Sequence, residues 1–345
     1  MFTCAELVSV LKRNFIFCIR CNRKSPMKSI KIVIALSLLM SISSCKNQIE
    51  DEVNGIYMDM KPTKTPILLS PELISSSLDE YNGTFSPDGK EFFFTTNTPE
   101  KGIICHTKLD DNGKWTKARI TKFSGEFSEY DPLFSPKGDK LYFTSERPLN
   151  KTDSSGKTNI WYVEKQNSTW SEPKYLDLGM QGAYYSSITK KGDIYFNIWD
   201  TGDMYRAVNT EGNYKAEKLS NTLNSKNGEG DPFVSPKEDY IIFRGYNNSL
   251  GQGDLYISYK IGEDWTKPEN LGEPINSEAH EMCPYVTLDG KFFIFSSNRI
   301  NSEYPSQANE NLEKIRKKHQ TSDNGELNIY YISADFIDEK RKKYE

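Results

Sequence analysis

Residues 80–97 read EYNGTFSPDGKEFFFTTN, and the turn at their centre decides the fold. Pro87 fixes φ and Gly89 accepts positive φ, so Ser86-Pro87-Asp88-Gly89 reads as a tight turn between two antiparallel strands. The unit returns as EYDPLFSPKGDKLYFTSER at 129–147, AYYSSITKKGDIYFNI at 183–198, EGDPFVSPKEDYIIFRGY at 229–246 and EMCPYVTLDGKFFIFSSNR at 281–299. With Phe85, Phe134, Ile188, Val234 and Val286 taken as equivalent, the spacings are 49, 54, 46 and 52 residues, the period of a propeller blade.

A third strand follows each pair, as at Asn159–Val163, Asp203–Arg206, Asp254–Ile257 and Asn328–Ile332. A fourth carries Trp-x-x-Pro at Trp170–Pro173 and Trp265–Pro268, with Trp115 marking a variant. Four antiparallel strands per unit make one blade. The expected class is all-β: a β-propeller of four-stranded blades, five in number, with six as the alternative if residues 46–66 fold further. The segment beginning Ile67-Leu68-Leu69 resembles the fourth-strand element at Lys267–Gly272, so it is expected to complete the last blade and leave no open edge.

The Ser-Pro-Asp-Gly-Lys turn followed by an aromatic strand resembles the TolB-type, WD-repeat-like propeller repeat, and residues 269–299 resemble repeats of Bacteroidetes-type envelope proteins. The resemblance covers residues 66–338. It implies a propeller of the envelope that binds a protein or glycan, and it leaves the ligand open.

Residues 27–44 read MKSIKIVIALSLLMSISS before Cys45: a basic start, an apolar run too short to span a bilayer, then small residues. The Ile42-Ser43-Ser44-Cys45 ending resembles a lipobox, so Cys45 is the expected lipidation site, on a tether over 45–65. Residues 1–26 read as an extension upstream of the true start at Met27. The 44 Lys/Arg and 48 Asp/Glu of the whole chain become 37 and 47 once residues 1–44 are removed, a formal net of −10 in place of −4. That balance disfavours nucleic acid, which calls for a basic face. Cys105 and Cys283 are expected as buried free thiols, with one disulfide as the alternative.

The position five residues before each equivalent apolar residue holds Glu80, Glu129, Ala183, Glu229 and Glu281, a ring expected at the channel mouth. Asp131 and Asp231 lie two residues on, His280 stands beside Glu281, and loops after the second strands are expected to bring Arg147, Arg244 and Arg299 to the same face. Three readings stand for the glutamates. Each caps its own turn by accepting backbone N–H bonds; or carboxylates and arginines hold a sugar, a peptide or Ca²⁺; or Glu129, Glu229 and Glu281 perform glycoside chemistry. Repetition at one position speaks against catalysis, because acid and base need unlike environments. Apart from Ca²⁺ no cofactor is implied. Tyr81, Tyr130 and Tyr184 recur beside the ring and could stack on a sugar. His106 and His319 are isolated and carry no assigned role. The largest departure from the repeat is an insertion at 300–326 with helical spacing after Ser306, read either as a cover for the channel mouth or as a mobile charged loop, and 339–345 reads as a charged tail.

Lipidation has a direct test. Cys45→Ala is expected to move the protein from the detergent phase to the aqueous phase on Triton partitioning; unchanged partitioning refutes the anchor.

Overall fold

The computed structural model describes residues 54–345 apart from 72, 168, 301–311 and 323. The signal peptide, Cys45 and the first part of the tether lie outside the described residues. No described helix is long and apolar enough to cross a membrane.

Five antiparallel sheets follow one another along the chain. Blade 1 runs Asp79–Phe85, Glu91–Asn97, Gly102–Lys108 and Arg119–Ile120. Blade 2 runs Glu129–Phe134, Lys140–Ser145, Asn159–Gln166 and Lys174–Tyr175. Blade 3 runs Ala183–Ile188, Ile194–Ile198, Asp203–Thr210 and Asn213–Lys218. Blade 4 runs Glu229–Val234, Tyr240–Gly245, Asp254–Ile261 and Glu269–Asn270. Blade 5 takes Glu281–Val286, Phe292–Ser297 and Asn328–Ser333 from the end of the array. Its fourth strand is Ile67–Leu68, with Ile67 opposite Tyr331 and Leu68 opposite Tyr330. The five innermost strands touch in a closed cycle, the first against the second and the last.

Each innermost strand carries a bulge. The register slips at Tyr81/Thr84, Tyr130/Leu133, Tyr184/Ser186, Gly230/Phe233 and Met282/Tyr285. The residue inside each slip, Asn82, Asp131, Tyr185, Asp231 or Cys283, has φ between 45° and 56°. A left-handed residue with a side chain is unusual, and five at one repeat position mark a device of the architecture. The bulge frees a backbone N–H, which donates to the neighbouring blade: Asn82 to Ser296 Oγ at 3.0 Å, Asp131 to Thr95 Oγ1 at 3.1 Å, Tyr185 to Thr144 Oγ1 at 3.1 Å and Asp231 to Asn197 Oδ1 at 3.2 Å.

The flanking segments differ from expectation. The expected tether over 45–65 is docked from residue 54 onward. Tyr57, Met58 and Met60 are buried, Tyr57 lies edge-on to Phe85 at 5.1 Å and near Phe292 at 6.2 Å, and its N–H donates to Gly89 O at 2.8 Å. Trp115 Nε1 donates to Gly55 O at 2.7 Å. The segment thus seals the turn end of blades 1 and 5. The expected charged tail over 339–345 is folded as well: a helix Phe336–Arg341 and a 3₁₀ turn Lys342–Tyr344 lie on blade 4. Ile337 is buried, Tyr259 Oη donates to its carbonyl at 2.6 Å, and Arg341 pairs with Asp239 at 3.0 Å. Alternating charges hid this docking, because the anchoring apolar side chains are few. Cys105 and Cys283 are free thiols, Cys283 buried as expected and Cys105 only half-buried.

Removal of the Tyr57 ring leaves a cavity beside Phe85 and Phe292. Tyr57→Ala is expected to cost about 3 kcal/mol by denaturant unfolding; a change below about 1 kcal/mol means that the segment is not part of the core.

Candidate functional site

The carboxylates of the glutamate ring turn back on the loops that enter their own strands. Glu80, Glu129, Glu229 and Glu281 are buried. Each accepts a backbone N–H from four residues upstream: Ser76 at 2.9 Å, Gly125 at 2.9 Å, Ser225 at 2.7 Å and Ser277 at 3.0 Å. Hydroxyls add to this, from Ser76 at 2.5 Å, Ser124 at 2.9 Å and Ser277 at 2.6 Å. This is the geometry of the turn-cap reading. Two caps are locked by a guanidinium. Arg147 Nη2 reaches Glu129 Oε1 at 2.9 Å, and Arg299 Nη2 reaches Glu281 Oε1 at 3.1 Å. Breaking such a buried pair leaves an uncompensated charge, so both arginines are structural braces.

The bulge explains why Asp131 and Asp231 turn to the channel although the glutamates two residues earlier do not. Simple alternation sends residue i and residue i+2 to one side, but the slip after the glutamate re-aims its successors. Tyr81, Tyr130, Tyr184 and Met282, each one residue past the ring position, pack together with Tyr185, Cys283 and Leu327. The channel is therefore lined by aromatic groups. Tyr185 crosses it, its hydroxyl donating to Pro284 O at 2.8 Å. At the rim Tyr184 stacks obliquely against Trp199 at 5.2 Å. Trp199 is 63% exposed and Tyr246 39%, enough for both to meet a ligand.

Blade 4 breaks this pattern twice at paired positions. Gly230 stands where the other blades carry Tyr81, Tyr130, Tyr184 and Met282, and Arg244 stands opposite it, where they carry Thr95, Thr144, Asn197 and Ser296. Arg244 lies within the second strand, not in the loop after it, and so does not share the place of Arg147 and Arg299. The two changes are one: a Cβ on Gly230 would sit 2.6 Å from Arg244 Nη2. Arg244 Nε approaches Asp231 Oδ2 at 3.4 Å, and Nη1 lies 3.3 Å from His280 Nε2. Burial and the adjacent Arg244 charge lower the His280 pKa, so the imidazole is neutral and accepts from the guanidinium. Asp231 Oδ1 is buried with no hydrogen-bond partner among the described residues. Asp131 is bonded to Asn82 Nδ2 at 2.9 Å and Thr144 Oγ1 at 3.3 Å; burial, with Asp231 adding, pushes its carboxyl from 3.8 to about 7.

Of the expected site residues, the structure thus gathers Asp131, Asp231, Arg244 and His280 at the channel and sets the four glutamates, Arg147 and Arg299 into turns. The Gly230 half of the break went unnoticed in the sequence, although Gly230 against three tyrosines at one repeat position is a readable signal. Among the described residues no three His, Cys, Asp or Glu side chains converge as a metal site. The insertion at 300–326 includes a helix at Leu312–Lys318 and returns beside the mouth. There Asn324 Nδ2 donates to Ser77 O at 3.1 Å, and Leu327 borders the tyrosine cluster.

No family model matches the sequence, and no curated protein matches it. Solved structures that it resembles include a putative TolB from Agrobacterium tumefaciens, 17% identical with a TM-score of 0.45 over 65% of this chain and 72% of that one. Another is TolB from Acinetobacter baumannii, 13% identical with a TM-score of 0.44 over 74% and 57%. A GH43 endo-arabinanase from Bacillus licheniformis is 11% identical with a TM-score of 0.46 over 73% and 93%. The propeller itself rests on the strand pairing described above.

Two buried acids make stability depend on pH. Burial raises Glu80 from 4.5 to about 7, as it does Asp131. Both hold protons in the folded chain that the unfolded chain releases at lower pH. Stability is therefore expected to fall as pH rises from about 4, where the unfolded Asp131 carboxyl begins to release its proton, to about 7, and to level off above. Glu80→Gln and Asp131→Asn should each flatten the fall in Tm; an unchanged slope in both variants counts against it.

Proposed function

We propose that the chain is a non-catalytic recognition module of the bacterial envelope, held to a membrane through lipidated Cys45, which binds a protein or glycan at the channel mouth. The observation that supports this reading is the paired break at Gly230 and Arg244. It places a guanidinium at the channel in a chain whose other blades keep small polar groups there. Arg244, the neutral His280 and the rim rings of Tyr184, Trp199 and Tyr246 form a surface for an acidic group carried on a flat or ring-shaped body. Arginine favours carboxylate and phosphate geometry, and exposed aromatic rings supply contact at low entropic cost.

Glycan hydrolysis would need two carboxylates open to the substrate. Glu129 and Glu281 spend theirs on turns and arginines, and Asp131 is buried under the tyrosines.

The experiment compares the wild-type chain with the double variant Gly230→Tyr/Arg244→Thr, which restores the pairing of blade 2. Uronate-containing and neutral oligosaccharides and acidic peptides are the probes. Saturable binding of an acidic probe, weakened at least about tenfold in the folded double variant, supports the reading. Binding unchanged in the double variant refutes the site. Release of oligosaccharides that Glu229→Gln abolishes refutes the non-catalytic reading.

A further inference from the structure

Arg147 and Arg299 occupy equivalent sockets built from the same parts. In blade 2 the guanidinium meets Glu129 Oε1 at 2.9 Å, Phe123 O at 2.9 Å and Ser145 Oγ at 3.0 Å, against the rings of Phe143 and Trp161 at 5.5 and 5.2 Å. In blade 5 it meets Glu281 Oε1 at 3.1 Å, Ile275 O, and Ser297 Oγ at 3.1 Å, against Phe295 and Tyr330 at 5.2 and 5.3 Å. A carboxylate, a carbonyl and two aromatic rings together suit a planar cation.

Blade 4 keeps most of this socket and lacks its arginine. Glu229 holds the carboxylate position, Leu223 stands where Phe123 and Ile275 supply the carbonyl, and Phe243 and Tyr256 hold the ring positions. Those two rings stack with centroids 6.2 Å apart and planes 21° apart, much as Phe295 and Tyr330 do at 6.1 Å and 28°. The arginine position, eighteen residues after the glutamate, is Asn247, and the serine position is Gly245. Shortening both side chains leaves a cleft of about 450 Å³ lined by Leu223, Glu229, Phe243, Gly245, Asn247 and Tyr256. Asn247 Nδ2 donates to Ser225 Oγ at 2.9 Å and reaches Glu229 Oε1 only at 3.5 Å, the outer limit of a hydrogen bond. Burial, with Asp203 adding, pushes the Glu229 carboxyl upward. Lys267 lines the rim, exposed on a flexible stem.

We propose that the blade 4 cleft is a socket for a guanidinium group supplied from outside the chain, either an arginine side chain of a partner protein or a small arginine-like molecule. The Glu229 carboxylate and the Leu223 carbonyl receive its N–H groups while its plane lies against Phe243 and Tyr256. The cleft is separate from Arg244, and the proposal stands whether or not the channel mouth binds a ligand.

Isothermal titration of the folded chain tests it with argininamide, an end-blocked Gly-Arg-Gly tripeptide and the corresponding lysine compounds. The expected result is saturable binding of a guanidinium probe at least about tenfold tighter than its lysine counterpart. A tripeptide that binds at least as tightly as argininamide identifies a protein arginine as the source; argininamide binding alone identifies a small molecule. Asn247→Arg fills the socket from within, as in blades 2 and 5. It is expected to abolish binding and to raise Tm by a few degrees, so loss of binding is separable from loss of fold. Absence of saturable binding by either guanidinium probe, or binding that survives Asn247→Arg, overturns the proposal.

Discussion

A bulge with positive φ in every innermost strand governs the rest of the molecule. It costs backbone strain five times over, and it is held by bonds from the freed N–H to the neighbouring blade. Inter-blade register, the aromatic lining and the inward turn of Asp131 and Asp231 all follow from it. Alternation already sends Glu129 and Tyr130 to opposite sides of the strand, and the bulge after Tyr130 lets the next residue, Asp131, turn inward as well. Glu129 and Asp131 are two residues apart and differ in role for this reason.

Much of the architecture was legible in the sequence because a propeller states its rule five times. The Ser-Pro-Asp-Gly turn and its variants located each first hairpin, and Ile67-Leu68 was recognisable as a fourth strand missing its partners. The docking of Tyr57 and of Phe336–Tyr344 was not legible, since neither belongs to the repeat and each depends on a few apolar contacts. At the site the residue types were legible and their directions were not. A repeated glutamate announces a shared position without saying which way it points. Arg147, Arg244 and Arg299 looked alike because the loop boundary after the second strand is invisible at single-residue precision.

Departure from the repeat proved more informative than the repeat. Blade 4 departs from blades 2 and 5 at Gly230, Arg244, Gly245 and Asn247, within one hairpin and its loop. The first pair puts a cation where its equivalents have none; the second removes a cation where two equivalents have one. Both changes lie on one blade and leave the sheet intact, because the strand ladder of blade 4 is formed by backbone groups that do not depend on them.

The pairing of Ile67–Leu68 with Tyr330–Tyr331 carries a consequence for the order of folding. Blades 1 to 4 draw all four strands from consecutive sequence and can form as each segment becomes free to fold, whereas the fifth waits for strands more than two hundred and fifty residues apart. Until residues 328–333 are in place, the early strand has no partner and the array remains an open arc with two unsatisfied edges. Such a chain is exposed to self-association at its ends, and ring closure is a late, non-local event. A chain cut before residue 328 would thus present four formed blades and no closed propeller.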